Sequence, residues 1–179
     1  MTYIMKAFFF FIKAVPLAVF VCIIRYSVME VRKSNRKIEP VVLLREFLFI
    51  SYIITILEIT GVIGMQFRIE WFVNSLSTFG LYIPNGFGEL KMMLLNMVLF
   101  IPFGIFLPVI FRKLAWNYKK ILFIGSGTSG IIEFLQMFGG RMAEVNDIIM
   151  NTIGMLVGFG IFQIYNVWYL GKHKNLKKI

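Results

Sequence analysis

Residues 131–160 read IIEFLQMFGGRMAEVNDIIMNTIGMLVGFG, and they decide how this chain is built. Two apolar segments flank the turn Gly139-Gly140, yet they carry Glu133, Gln136, Arg141, Glu144, Asn146, Asp147 and Asn151. A polar group in lipid is costly unless it is paired or has a task, so an intramembrane carboxylate marks a functional site by default. Glu133 and Gln136 stand at i and i+3, and Glu144, Asp147 and Asn151 at i, i+3 and i+7, so each set shares one helical face. The glycine turn returns the second helix antiparallel to the first and places Arg141 to pair with a carboxylate or meet a phosphate.

The surrounding chain is of the same kind. Of its 179 residues 59% are hydrophobic and 16% charged, and a mean hydropathy of +0.79 exceeds what a soluble core of this length requires. The expectation is an all-α membrane protein, residues 1–179 forming a single transmembrane domain. Five stretches, near 3–24, 42–65, 92–111, 121–138 and 148–170, approach the roughly 20 apolar residues of a spanning helix. The first could serve as a secretory signal, since Lys6 precedes Phe8 to Phe11, but no small-x-small cleavage site follows and it is read as a retained helix. Cys22, the single cysteine, has no intrachain partner for a disulfide and reads as a small core residue.

The net charge of +10 resides in short runs between apolar segments, with no soluble module to present them to nucleic acid. Arg25, Arg32, Lys33, Arg36, Lys37 and Arg45 fall in the first loop, Arg112, Lys113, Lys119 and Lys120 in the third, and Lys172, Lys174, Lys177 and Lys178 in the tail. The second and fourth loops are poor in such residues. Five helices with the N-terminus outside and the C-terminus cytoplasmic therefore satisfy the positive-inside rule. Lys6 and Lys13 run against it. Trp116, Tyr118, Trp168 and Tyr169 then mark the inner boundary and Trp71 the outer one. The long second loop, about 66–91, mixes apolar residues with turn formers and suits a short interfacial helix or a re-entrant flap.

This topology sets the depth of the polar groups. Glu133 lies about 20 Å up the fourth helix from Lys120 at 1.5 Å per residue, and Glu58 is similarly placed above Arg45. Asn96 and Asn151 come early in the two inward-running helices. Four helices thus bring polar side chains to one outer layer. Each also has a structural explanation: Asp147 as a helix cap, the asparagines as interhelical bonds, Glu133 and Glu58 as buried carboxyls bonded to neighbours.

Other patterns read as packing. Gly125-Ser126-Gly127-Thr128-Ser129-Gly130 fits GxGxxG with Asp147 downstream, but a dinucleotide site needs a βαβ unit; inside an apolar span it suggests a small-residue face. Gly154 and Gly158 form GxxxG, a close helix contact. Pro102 and Pro108 should kink or break the third helix. The only histidine, His173, lies in the tail, so no His-based zinc site or Ser-His relay can form in the outer layer.

The assembled motifs resemble the VanZ-like family of small bacterial membrane proteins, named for a protein linked to teicoplanin resistance. The resemblance rests on Asn96-Met97-Val98-Leu99-Phe100-Ile101-Pro102-Phe103-Gly104, on Ile132-Glu133-Phe134-Leu135-Gln136, on Gly140-Arg141-Met142-Ala143-Glu144-Val145-Asn146-Asp147, and on Asn151-Thr152-Ile153-Gly154 with Gly158. It covers approximately residues 90–165. Members commonly carry an acidic pair around a hydrophobic residue before the Asp, where this chain has Glu144-Val145-Asn146-Asp147, and Pro84 is the nearest relic of their Asn-Leu-x-Pro-Phe type outer segment. The resemblance implies a bacterial cell-membrane protein with an envelope role and glycopeptide resistance of the teicoplanin type.

The expected function is binding. An outer-leaflet polar pocket of Glu58, Asn96, Glu133, Gln136, Arg141, Glu144, Asp147 and Asn151 would hold a membrane lipid headgroup, a lipid-linked envelope precursor or a lipoglycopeptide. A membrane enzyme with Glu133 and Asp147 as acid and base is the alternative, although no nucleophile or cofactor motif accompanies them. A proton-coupled carrier using Glu58 and Glu133 is a further one. The adopted reading has no cofactor, metal or nucleic-acid partner; an all-oxygen cation site of Glu133, Glu144 and Asp147 stays open beside it.

Overall fold

The structure, a computed structural model, describes residues 3–31, 39–142 and 144–176. Arg32, Lys33, Arg36 and Lys37 of the first basic loop, Ala143, and Lys177 and Lys178 of the tail lie outside the described residues. The described chain is helical: α1 (Tyr3–Val31), α2 (Pro40–Ile59), α3 (Ile69–Thr78), α4 (Phe87–Ile110), α5 (Tyr118–Phe138) and α6 (Val145–Leu176), with a 3₁₀ turn at Arg112–Leu114. All but α3 are long and apolar enough to cross a membrane. At 1.5 Å per residue the 21 residues of α5 span about 31 Å, the thickness of the hydrocarbon core.

The chain divides into two compact units, Met1–Met65 and Gln66–Ile179. In the first, Ala14 and Ala18 of α1 are fully buried at i and i+4, and Ile54 of α2 joins them with Phe47 and Ile50 alongside. Small residues at that spacing let two helices approach closely. Arg25 is not a loop residue: α1 continues past it, and its guanidinium pairs with Glu46 at 2.6 Å. Helix α2 stops at Ile59, six residues before its apolar run ends at Met65. Gly61 turns the backbone to φ 76° and the Ile63 N–H reaches back to Leu57 O, which closes the helix despite the apolar residues beyond.

In the second unit α4 and α6 form the most extensive helix pair, with α5 packed on α6 and α3 on α5. Three glycines set the α4–α6 approach. A Cβ on Gly104 would collide with the Met155 carbonyl, one on Gly154 with the Met97 carbonyl, and one on Gly158 with the Ile101 carbonyl. The two backbones therefore touch, as GxxxG predicts. The GxGxxG segment behaves differently from its reading as a packing face: only Gly125 meets a neighbour, the Met155 side chain, while Gly127 and Gly130 face open space. The face is completed by buried Ile121, Ser129, Ile132, Glu133 and Gln136, which follow the helical period. Helix α4 continues without a break through Pro102 and Pro108. Asn117 caps α5 by accepting the Lys120 N–H at 3.0 Å.

Candidate functional site

The site grows from the α5–α6 turn. Gly139 and Arg141 both donate their N–H groups to Gln136 O, at 2.9 and 3.3 Å, and Gly140 adopts φ 75° between them. Its missing Cβ is a second requirement, since that atom would lie 2.9 Å from the Trp71 ring. Ser75 of α3 donates its hydroxyl to Arg141 O at 3.0 Å, and Phe72 and Phe67 stack on Phe138 at 4.6 and 4.3 Å. Helix α3 thus braces the turn.

Beyond the turn three backbone donors at the start of α6 find acceptors. The Glu144 N–H donates to Glu133 Oε2 at 3.1 Å, the Val145 N–H to Gly80 O at 3.2 Å and the Asp147 N–H to Glu144 O at 3.1 Å. These satisfy groups that a helix N-terminus otherwise leaves open. Glu133 is only 4% exposed, so its carboxylate serves as an internal acceptor that fixes where the chain re-enters the bundle. Asn146 extends the pattern sideways. Its amide Nδ2 donates to Tyr82 O at 2.8 Å, and its Oδ1 accepts the Tyr82 N–H at 3.2 Å. Together with the Gly80–Glu144 bridge, this lays segment 80–82 alongside the start of α6.

Between that segment, the turn and the first turns of α4 lies a cavity of about 570 Å³, within the range of small-ligand sites. Thr78, Leu81 and Tyr82 wall one side, Glu89, Met92, Met93 and Asn96 another, and Arg141, Met142, Glu144 and Asp147 the third. Three carboxylates and one guanidinium share this lining. The Asn96 side chain hydrogen-bonds the Asp147 carboxylate, and Glu89 Oε2 accepts the Asn85 N–H at 2.7 Å. The Tyr82 phenol donates to Glu144; this bond, then burial and the nearby charges of Glu144, Asp147 and Glu89, push its pKa up to about 12. Carboxylates with remaining lone pairs, beside methionine and leucine walls, can accept hydrogen bonds from a polar head while its apolar part rests on the sulfur and alkyl groups.

Of the residues singled out in the sequence, Asn96, Arg141, Glu144 and Asp147 line the cavity. Glu133 and Gln136 are buried and reach it through the turn they hold. Asn151 donates to Ser129 Oγ at 2.8 Å, an interhelical bond, while its Oδ1 finds no partner. Glu58 belongs to the N-terminal unit and is not a lining residue; its Oε2 is buried without a hydrogen bond. Tyr82, Glu89 and the methionines escaped the sequence reading because a pairing across 64 positions, as between Tyr82 and Asn146, leaves no local pattern. Glu89 did leave one: an acid three residues after Gly86, the residue preceding an apolar run, in the manner of a capping box. Among the described residues no three His, Cys, Asp or Glu side chains gather closely enough to hold a metal ion.

The VanZ/LLP1 family model matches residues 14–166. The chain belongs to the VanZ/LLP1 family. The match begins well before the motif-bearing region near 90–165, taking in most of α1 and all of α2. Over 93 residues, 51% of this chain and 53% of the relative, the chain is 32% identical to Protein VanZ of Enterococcus faecium. It thus spans about half the length of that curated relative. No solved structure matches it. Family membership and the five apolar helices make this VanZ-like chain a multi-pass membrane protein.

Proposed function

We propose that the cavity binds the polar head of an amphiphile of the bacterial cell envelope, a lipid, a lipid-linked wall precursor or a lipoglycopeptide, at the outer face of the cell membrane. The observation that carries this reading is the lining: Glu89, Glu144 and Asp147 against Arg141, with Met92, Met93 and Leu81 as apolar walls. Such a set favours a head that offers hydroxyl and amine donors, with Arg141 meeting a single carboxylate or phosphate. The outer placement follows from charge. The cavity lies at the end of α4 and α5 away from Arg112, Lys113, Lys119 and Lys120, and basic loops stay cytoplasmic. Capture of an antibiotic or its wall target there would give resistance of the teicoplanin type.

The test is native mass spectrometry of the purified protein with phosphatidylethanolamine, its N-acetylated form and phosphatidylglycerol. Retention of the amine-bearing lipid, reduced about tenfold by N-acetylation and by Asp147→Asn with Glu144→Gln, is the expected result. Equal retention of all three by wild type and variant would overturn the reading.

A further inference from the structure

We infer that α3 and the segment after it rest in the headgroup layer of the membrane, with one apolar strip turned into the acyl chains. The ten residues of α3 divide, at 100° per residue, among three surroundings rather than two. Trp71, Phe72 and Ser75 face the protein, through the Gly140 contact, the Phe138 stack and the Arg141 carbonyl. Glu70, Asn74, Ser77 and Thr78 form a polar strip open to solvent. Ile69, Val73 and Leu76 lie between these two, 69%, 62% and 56% exposed. A helix at a protein–water boundary needs an inward apolar face and an outward polar one. A third strip, apolar and outward, requires a third medium.

The occupant of that strip is the phospholipid monolayer of the membrane that α4, α5 and α6 cross. Helix α3 is fastened to the last turn of α5 by Phe72 against Phe134 and Phe138, and that turn is where α5 leaves the hydrocarbon. The strip therefore begins where the lipid-facing surface of the spanning helices ends. The chain continues it past α3 with Ile83 and Phe87, 83% and 81% exposed, more apolar surface than a water-facing loop usually presents. Short amphipathic helices of this kind lie in the interface plane with their apolar side about 5–10 Å deep. Segment 78–82 belongs both to this stretch and to the cavity wall, so the cavity rim is held at headgroup depth.

The test uses the full chain in liposomes, with Cys22→Ser removing the only thiol and single labelled cysteines at positions 70, 73, 74, 76 and 83. Brominated lipid should quench labels at 73, 76 and 83 and spare 70 and 74; a water-soluble quencher should give the opposite order, with at least a threefold contrast. Water access at 73 and 76 equal to that at 70 and 74 would overturn the inference. Protection of 73 and 76 from both quenchers would also overturn it, since protein would then cover the strip. Unmodified protein supplies an independent reading: a carbene probe dissolved in the lipid should label Ile69, Val73 and Leu76 and leave Glu70 and Asn74 unlabelled, and the reverse order would overturn the inference.

Discussion

Asn146 and Tyr82 are joined by two hydrogen bonds of opposite sense, Nδ2 to Tyr82 O at 2.8 Å and the Tyr82 N–H to Oδ1 at 3.2 Å. A side-chain amide here does what a neighbouring strand would do for the backbone. Asn146→Ala leaves both main-chain groups of residue 82 without their partner, which typically costs about 1–3 kcal/mol for buried groups. The expected outcome is a lower Tm in detergent and faster proteolysis between 79 and 86, with α4–α6 intact. Asn146→Asp, which keeps the acceptor and loses the donor, should fall between wild type and Ala.

The Glu133 carboxylate accepts the Glu144 N–H at 3.1 Å, and a glutamine oxygen can take that role. Glu133→Gln should therefore retain most of the stability, while Glu133→Ala should lose about 1–3 kcal/mol through the orphaned N–H and the space vacated. Thermal unfolding of both variants checks this. If lipid retention also survives in Glu133→Gln, the residue is a support for the turn rather than a ligand contact.

Gly104, Gly154 and Gly158 each stand against a carbonyl of the opposing helix. Alanine at any of them must push α4 from α6, and overpacking of this kind costs about 1–3 kcal/mol. Gly127 faces open space on α5, so Gly127→Ala should be neutral or stabilising by up to about 1 kcal/mol. Tm values of the four variants, measured side by side, separate the two cases.

Tyr82 holds its proton up to about pH 12 because its phenol bonds the Glu144 carboxylate. Unfolded tyrosine releases its proton near pH 10, so the folded state binds more protons between these values and loses this contribution to stability as pH rises through that window. Below pH 10 it is fully present. Ultraviolet titration of the folded protein should show a late-ionising tyrosine that disappears in Tyr82→Phe and moves toward pH 10 in Glu144→Gln.

The spanning helices were legible because lipid demands long apolar runs, and counting residues along them gave Glu133, Asn96 and Asn151 an expected common level. Local chemistry blurred the boundaries. Ile63 and Met65 prolong the apolar run of α2, but Gly61 had already turned the backbone out of helical geometry. The glycine pattern at 125–130 suggested a continuous packing face, and the helical period gave that role to Gly125 and Ser129 alone. Pro102 and Pro108 suggested a kinked or broken helix, and α4 runs unbroken through them. Within the site, Asp147 and Arg141 could be read from the sequence because charge in an apolar run stands out. Tyr82 and Met93 could not, because an aromatic or thioether there looks like any other apolar residue until segment 80–82 is seen beside α6.

Where α4 and α6 meet through bare main chain, no rotamer can adjust and no side chain can be exchanged to widen the gap. The floor beneath the cavity is consequently a fixed chassis, whereas Tyr82, Glu89 and Met93 are interchangeable fittings mounted on it. Substitutions at those three positions would reshape the cavity wall and leave the glycine contacts between α4 and α6 as they are.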